Sequence, residues 1–316
     1  MIECSILVPV YNAVRWLPAF VRCIAKQKLA DCELIFLDDA SSDNSMGILK
    51  DELATYGMKA RILAHGTNLG VSVARQTLLD AATGEYVIFA DPDDWMDANM
   101  YKELVVAAKE TGADVVWEDF FDGEDKRCVQ QCNQDARSLL KAILHGKVHG
   151  ATWNKLIRRD FIAKCGARFL EGRVALCEDM DFICQVLAAN PKIAYHDGCN
   201  YHYRVVADSL THGLSINSFR SLMRVEAHLR TLLTGEDLLP SLKYWCSGNR
   251  MAAFLSERVD DDFFYTYAKG YGDIDCLSAN KVLKILYRIA INGYRQLALH
   301  LYRLLLMFVR MLNLRT

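Results

Sequence analysis

Residues 86–94 read YVIFADPDD, an apolar run that ends in three carboxylates around one proline. A short, fully apolar segment bounded by turn residues is typical of a strand buried on both faces, as in a parallel sheet. Carboxylates directly after such a strand suit a hard divalent cation that keeps positions open for phosphate, although many acidic loops are only solvated. The stretch predicts a buried strand that carries Asp91, Asp93 and Asp94 to a metal-phosphate site.

The chain before this strand alternates short apolar runs with amphipathic segments. The predicted strand and helix pairs are Ile6–Val10 with Trp16–Ala25, Glu33–Leu37 with Ser45–Tyr56, and Arg61–Ala64 with Gly70–Ala82. Strands that alternate with helices indicate βαβ crossovers. We therefore expect an α/β fold in which helices cover both faces of a mostly parallel sheet.

Ligands of such sheets gather where the carboxyl ends of the strands meet. Tyr11 and Asn12 follow the first predicted strand, and Asp38 and Asp39 follow the second. Tyr11 suits stacking on a base, and a carboxylate at Asp39 can accept the imide N–H of a uracil. The ordinary alternatives are a packed aromatic ring at Tyr11 and a helix cap in residues 38–43.

Phosphate recognition has to rest on basic side chains. Neither a glycine-rich dinucleotide motif nor a P-loop follows any predicted strand. Arg75 lies on the third predicted helix, where it is expected either to point at a diphosphate or to face solvent.

The second half of the chain offers a candidate base and several histidines. Residues 177–181 place three carboxylates at a predicted helix start, which favours either stabilisation by the helix dipole or a general base that deprotonates an attacking hydroxyl. His145 and His149 are spaced for one helix face, but packed or solvated histidines are favoured because no third ligand is evident. His202 and His212 are candidates to reach a metal from the acceptor side.

The net charge of −2 combines two opposite regions, and it excludes a generally basic, nucleic-acid-binding protein. All 39 acidic residues and 30 of the 37 basic residues precede Leu277, so residues 277–316 carry seven positive charges and the remainder a net charge of −9. Basic residues recur there every seven or eight positions, at Lys281, Arg288, Arg295, Arg303 and Arg310. This spacing predicts either an amphipathic helix lying on an anionic membrane, or a packed helical subdomain or oligomer interface whose arginines face water. A membrane-spanning helix is disfavoured, because arginines interrupt the apolar run.

The cysteines and the N-terminus indicate a location inside the cell. Eleven cysteines form no Cys-x-x-Cys pair, and an odd number is more typical of reduced thiols than of a disulfide framework. The first residues lack the pattern of a signal peptide.

Several motifs occur in a fixed order along the chain. They are VPVYN at 8–12, LDDASSD at 37–43, NLG at 68–70 with Arg75, GEYVIFADPDD at 84–94, WNKL at 153–156, and Glu178 with Asp179. Together they resemble the family 2 inverting glycosyltransferases of the GT-A fold over residues 4–212. The resemblance implies a Rossmann-like α/β domain with a nucleotide-sugar-binding half at 1–118 and an acceptor-binding half at 119–215. A helical C-terminal region at 216–316 would follow.

The resemblance also implies transfer of a sugar, with inversion, from a nucleoside diphosphate sugar such as a UDP-sugar to a hydroxyl of a glycan or lipid-linked acceptor. This reaction would serve the synthesis of cell-envelope polysaccharide or lipopolysaccharide. Asp179 would be the base and Asp93 would bind Mg²⁺ or Mn²⁺. The donor-binding residues would be Pro9, Tyr11, Asp39, Arg75 and Asp91. Further candidates are Asn12, Asp38, Asp94, Trp153, Glu178, His202, Arg204 and His212. Ala40 departs from the family pattern, in which glycine is commoner.

The implied location is the cytoplasm, with peripheral contact between residues 281–315 and the inner face of the cell membrane. No nucleic-acid partner is expected. One alternative is a catalytically inactive nucleotide-sugar-binding or scaffolding protein, against which the retained Asp91, Asp93 and Asp179 argue. The other is a nucleotidyltransferase, which would carry a glycine-rich basic loop after its first strand.

Overall fold

A computed structural model describes residues 2–27, 31–123, 126–130, 135–204, 214–270, 273–277 and 281–313, with side chains up to residue 307. The chain divides into two compact units, residues 1–209 and 210–316. The predicted boundary between a donor half and an acceptor half stays a prediction.

The first part of unit 1 is a parallel βαβ arrangement. Its strands run in the spatial order β3-β2-β1-β4 and are β1 (Cys4–Val10), β2 (Cys32–Asp38), β3 (Arg61–Ala64) and β4 (Tyr86–Phe89). The connecting helices are α1 (Leu17–Ala25), α2 (Ser45–Thr55) and α3 (Val71–Ala81). All seven residues of β1 are buried, since this strand lies at the centre of the sheet with helices packed against it. The predicted elements are confirmed within one or two residues at each end.

The second part of unit 1 extends the same sheet in the order β8-β6-β9-β5, and β7 pairs with β6. Its elements are β5 (Trp95–Met96), α4 (Met100–Thr111), β6 (Val115–Asp122), β7 (Lys126–Cys128), α5 (Ala136–Leu144), β8 (Lys155–Arg158), α6 (Arg159–Cys165), α7 (Glu178–Ala188) and β9 (Ile193–Tyr203). Six of the nine strands in the described residues run in one direction, while β5, β7 and β8 run against them. The expectation of a mostly parallel α/β sheet is confirmed.

The connection after α5 and the stretch after residue 118 complete unit 1. Helix α5 ends at Leu144, so His145 and His149 do not share a helix face. The polar stretch after residue 118 is partly strand, because β6 continues to Asp122 and β7 pairs with it. The cysteines within the described residues are free thiols, as expected.

Unit 2 is helical. It contains α8 (Ile216–Leu232), α9 (Leu239–Leu255), α10 (Asp261–Ala268), α11 (Lys281–Ile289) and α12 (Arg295–Asn313). Helices α11 and α12 are separated by Asn292 and Gly293, whose backbone is not helical, and Gly293 has a φ of 99° that suits glycine. The single continuous basic helix predicted from the sequence is therefore two helices.

The arginines of this region do not form one exposed face. Arg295 is 2% exposed and its guanidinium donates hydrogen bonds to the backbone oxygens of Val259 and Ser256 and to Asp261 Oδ1, at 2.7, 2.7 and 2.8 Å. Arg288 pairs with Asp275, and Arg303 with Glu257. The predicted arginine face is thus corrected, because buried carbonyls and local carboxylates take up these side chains. None of the described helices is both long and apolar enough to span a bilayer.

Candidate active site

The ends of β1 and β2 lie side by side, since Val10 pairs with Asp38 in the parallel register. Tyr11 follows immediately and is 52% exposed, so its ring is available to a ligand. Asn12 has a left-handed φ of 49°, and its Oδ1 accepts a hydrogen bond from the Ser42 N–H at 2.8 Å. Asn12 therefore joins the two strand-end loops and sets the position from which Tyr11 projects.

Pro9 is buried within β1, so the expectation that it contacts the donor is corrected. Pairing between β1 and β4 ends at Leu7 and Phe89, and the Val10 oxygen bonds to Asp39 N–H on the opposite side. The backbone N–H and C=O groups of successive residues point alternately toward the two neighbouring strands, so the backbone nitrogen of Pro9 faces the β4 side. There its missing N–H costs no sheet hydrogen bond.

Asp39 is 3% exposed and heavily hydrogen bonded. Its Oδ1 accepts from the Leu69 N–H at 2.9 Å and lies 2.7 Å from His65 Nδ1, and its Oδ2 accepts from the Gly70 N–H at 2.7 Å. A carboxylate has about four acceptor positions, so three are used and one is left for a base. Asp39 thus ties β2 to the start of α3, and His65 is a residue that sequence reasoning missed.

Asp38 holds a turn. Its Oδ1 accepts a hydrogen bond from the Ser41 N–H at 2.9 Å. The turn forces Ala40 into a left-handed conformation with a φ of 57°, a region that glycine occupies without strain. This geometry explains why glycine is commoner than alanine at this position in the family that the sequence resembles.

The three aspartates after β4 differ in their surroundings. Asp94 is 3% exposed and accepts hydrogen bonds from Tyr201 OH at 2.6 Å and from the Arg204 N–H at 2.7 Å. Burial raises the pKa of Asp94 well above its ordinary value. Asp94 therefore fastens the end of β9 to this loop rather than facing a ligand.

Asp93 is the carboxylate that fits a cation. Within the described residues no ion pair reaches its side chain, and burial together with the charge of Asp91 raises the pKa of Asp93 to about 6. A divalent cation would remove this electrostatic cost. The described part of the chain offers no cluster of three or more metal-ligating side chains. The arrangement suits Mg²⁺ or Mn²⁺ held by carboxylates together with substrate phosphates.

Arg75 joins the strand-end carboxylates to helix α7. It is 5% exposed, its Nη2 donates to Asp91 Oδ1 at 2.9 Å, and its Nη1 donates to Glu178 Oε1. Burial alone would lower the pKa of Arg75, but the charges of Asp91 and Glu178 outweigh it and raise that pKa. The alternative in which Arg75 faces solvent is excluded by its burial, and a contact between Arg75 and the diphosphate stays a prediction.

Glu178 and Asp179 begin α7 but have different environments. Glu178 is 5% exposed, and burial with the adjacent charge of Asp179 raises the pKa of Glu178 to about 7. Asp179 is only half-buried, and its Oδ1 accepts from the Met180 N–H at 2.7 Å. Since Arg75 takes up Glu178, Asp179 is the carboxylate of this pair that is available to a substrate.

The WNKL motif builds a packed support behind Asp179. Trp153 is 3% exposed and stacks on Tyr201 and Tyr203, with ring centroids 4.4 and 5.8 Å apart, so it packs rather than contacts a ligand. Lys155 is 1% exposed, and its Nζ donates to three oxygens at 2.7 to 2.8 Å, those of His149, Ala151 and Asn154. Burial lowers the pKa of Lys155 to about 7, and the charge of Asp179 acts in the opposite direction.

The last three candidates along the chain, His202, Arg204 and His212, differ from one another. His202 lies between the rings of Trp95 and Phe121, with centroids 5.0 and 4.9 Å away, and its Nε2 is 3.1 Å from Asp97 Oδ2. Both ring nitrogens are buried without a well-aligned hydrogen-bond partner in the described residues, and the metal role of His202 stays a prediction. Arg204 Nε donates to the Asp93 backbone oxygen at 2.8 Å, which places its side chain beside the metal candidate. His212 lies outside the described residues.

Known proteins share this fold and sequence pattern. A family model described as "Glycosyl transferase family 2" matches residues 5–165, half of the chain. The putative glycosyltransferase EpsH of Bacillus subtilis (strain 168) is 28% identical over 225 residues, which are 69% of this chain and 65% of that protein. The chain spans 58 to 65% of the length of the first curated relatives that it matches.

Two solved structures show the same fold. TarS 1–349 of S. aureus, described in complex with UDP-GlcNAc, superposes with a TM-score of 0.62 at 17% identity, over 95% of this chain and 91% of that one. The mannosyltransferase PcManGT from Pyrobaculum calidifontis, described in complex with GDP-Man and Mn²⁺, gives a TM-score of 0.53 at 17% identity, over 93% and 87% of the two chains.

Proposed function

Because the chain belongs to glycosyltransferase family 2, we propose that it transfers a sugar from a UDP-sugar, with inversion, to a hydroxyl of a glycan or lipid-linked acceptor. One observation carries the proposal. Arg75 bonds both to Asp91, after β4, and to Glu178, next to Asp179. This link supports a single site in which donor-side and acceptor-side carboxylates act together.

The donor would bind at the strand ends. Tyr11 offers an exposed ring for stacking on the base, and the remaining acceptor position of Asp39 suits the imide N–H of uracil. The UDP-GlcNAc and GDP-Man named for the TarS and PcManGT structures support a nucleoside diphosphate sugar as donor. Asp91 would lie near the ribose, as the family pattern implies.

A divalent cation would sit at Asp93. Its half-buried carboxylate lacks an ion pair within the described residues, and the Mn²⁺ named for PcManGT agrees with this choice. When bound, Mg²⁺ or Mn²⁺ would neutralise charge on the diphosphate leaving group. Arg204, bonded to the backbone of Asp93, would add a positive charge on the same side.

Asp179 would act as the general base. Its half-buried carboxylate takes the proton of the acceptor hydroxyl, the acceptor oxygen forms a bond to the anomeric carbon, and the bond from that carbon to the diphosphate oxygen breaks. Attack from the face opposite the diphosphate inverts the configuration. Arg75 and Lys155 contribute by fixing the surroundings of Asp179, since both are buried and hydrogen bonded to groups near it.

The proposed setting is the cytoplasmic face of a cell membrane, where the enzyme would extend cell-envelope polysaccharide or lipopolysaccharide. Residues 281–315 would contact anionic lipid, because this region is basic and α12 leaves apolar side chains exposed. These are Leu297, Leu301, Leu304 and Met307, which are 40 to 61% exposed. A Leu301→Glu, Leu304→Glu variant should sediment less with anionic vesicles, while Met223→Glu, an exposed methionine on α8, should not change sedimentation. Equal sedimentation of all three proteins would rule out this contact.

The activity test uses labelled nucleotide sugars with Mn²⁺. Asp179→Asn should reduce release of the nucleoside diphosphate by about 10²- to 10⁴-fold, since base catalysis contributes that much, and should leave UDP affinity nearly unchanged. Asp160→Asn is the matched control, because Asp160 is an exposed aspartate in the first turn of α6. Pyrophosphate release would instead indicate a nucleotidyltransferase, and binding without turnover a nucleotide-sugar-binding protein.

A further inference from the structure

His149 lies in the connection between α5 and β8, and the function proposed above does not use it. The residue is exposed. Its ring touches Phe120 edge-on at a centroid distance of 5.5 Å and is tilted against Trp153 at 5.4 Å. Packing against two aromatic rings gives the imidazole a defined direction.

The backbone of His149 is held on both sides. Its N–H donates to Gln130 Oε1 at 2.7 Å, and its carbonyl accepts from the buried Lys155 Nζ at 2.8 Å. Lys155 Nζ also donates to the Ala151 oxygen at 2.7 Å, so one ammonium group holds two backbone carbonyls of the connection. A side chain on such a fixed backbone is a better recognition element than one on a free loop.

The ring nitrogens have distinct roles. Nδ1 of His149 accepts a hydrogen bond from the Ala151 N–H at 3.2 Å, so this nitrogen carries no proton. The neutral ring therefore carries its proton on Nε2. Packing against Phe120 and Trp153 removes part of the ring from water, which lowers the pKa of His149 and favours the neutral form, while the charge of Asp179 acts in the opposite direction. Lys155 and Asp122 are the other charged groups that act on the ring.

The connection passes directly over the start of α7. A methyl group added at Gly150 would lie 2.6 Å from Met180 Cγ and 3.1 Å from Met180 Cα, so no larger residue fits without movement. Gly150 follows His149, and Met180 follows Asp179. The backbone that carries the imidazole is thus packed against the backbone that carries the proposed base.

We propose that His149 is an acceptor-recognition residue, whose Nε2–H donates a hydrogen bond to a second oxygen of the acceptor, beside the hydroxyl that Asp179 deprotonates. The inference rests on the proposed function and narrows it. It requires an acceptor with neighbouring oxygens, as in the vicinal hydroxyls of a glycosyl unit. A sterol with a single hydroxyl does not meet this requirement.

The test compares transfer to a glycosyl acceptor with transfer to water. A panel of p-nitrophenyl glycosides serves as the acceptor probe, and hydrolysis of the same UDP-sugar serves as the reference. In His149→Phe, which keeps a ring but loses the donor, the ratio of transfer to hydrolysis should fall about tenfold to hundredfold. His149→Gln, which keeps an N–H donor, should stay within about threefold of the wild type. His145→Phe, four residues away, is the matched control and should leave the ratio unchanged.

A second measurement needs no variant. In ¹⁵N NMR spectra of the histidine-labelled full chain near pH 8, His149 should be the Nε2–H tautomer, and the Nδ1–H tautomer would overturn the proposal. So would an unchanged ratio in His149→Phe, or transfer to cholesterol with none to any glycoside while the UDP-sugar is still hydrolysed. A wild-type protein that neither binds UDP with Mn²⁺ nor releases it would instead refute the proposed function on which the inference rests.

Discussion

Arg75 in unit 1 and Arg295 in unit 2 are both almost fully buried, at 5% and 2% exposure. The sequence predicts that Arg75 points at a diphosphate or faces solvent, and it places Arg295 on one face of a basic helix. Arg75 is surrounded by charge, because its partners are the carboxylates of Asp91 and Glu178. Arg295 is surrounded mainly by backbone oxygens, including those of Ala253 and Phe254 at the end of α9.

The two sets of partners give the two arginines different roles. The last carbonyls of a helix lack partners within the helix, and Arg295 supplies hydrogen bonds to those of α9. Arg75 instead neutralises the charge of two carboxylates that lie where a ligand is expected, and within the described residues its guanidinium bonds to no carbonyl at a helix end. A buried guanidinium must find partners in either place, so only the chemistry of the partners distinguishes a site from a structural cap.

The largest expected effect is that of Arg75→Met. Removing the guanidinium leaves the half-buried Asp91 and the buried Glu178 without a counter-charge, which should lower the free energy of unfolding by about 3–5 kcal/mol and abolish transfer. Urea unfolding and UDP release measure the two effects. The double variant Arg75→Met, Glu178→Met should recover part of the stability but not the activity. Full activity in Arg75→Met would show that Arg75, like Arg295, has only a structural role.

Arg295→Met should cost about 1–3 kcal/mol of unfolding free energy, since most of the groups that lose their partner are neutral carbonyls and the one carboxylate, that of Asp261, is partly exposed. Binding of UDP with Mn²⁺ by the folded protein should persist. Arg303→Met is the control, because the pair between Arg303 and Glu257 is exposed and should contribute less than about 1 kcal/mol. A loss of UDP binding in Arg295→Met, with stability unchanged, would contradict the structural role.

A third prediction concerns Lys155, whose pKa is lowered by burial to about 7 and is about 10.4 in an unfolded chain. Between these values the unfolded state binds more protons, so the stability of the wild type relative to Lys155→Met should rise with pH. The slope should reach at most about 1.4 kcal/mol per pH unit. Urea unfolding from pH 7 to 10 measures it, and Lys164→Met, at an exposed lysine of α6, should show no such slope. A flat difference for Lys155 would mean that its pKa is not lowered.

The smallest expected effect is at Ala40. Glycine relieves the left-handed strain but increases the entropy of the unfolded chain, so Ala40→Gly should stabilise the protein by no more than about 1 kcal/mol. Thermal unfolding with and without UDP separates this gain from any effect on donor binding. Destabilisation by glycine would show that the turn held by Asp38 is not strained.

The sequence was most informative where the signal is local. The apolar runs of β1 to β4 and the helices between them were predicted within one or two residues, because burial on a strand or helix face repeats over a few neighbouring positions. The aspartates after β4 were found for the same reason, since they interrupt an apolar run. Asn292 and Gly293 also mark the break between α11 and α12 in the sequence. The regular spacing of the arginines nevertheless favours one continuous helix.

The sequence by itself thus determined the α/β class, the family and the candidate carboxylates. Only the tertiary structure decided which of them remain available. Arg75 meets Glu178 across 103 positions, and His65 meets Asp39 across 26. A buried charge is satisfied by whichever partner the fold brings within about 3 Å, and sequence spacing carries no record of such pairs. For that reason the carboxylates of Asp93 and Asp179 remain available to a ligand, whereas Pro9, Asp94 and Arg75 are buried in contacts with other parts of the protein.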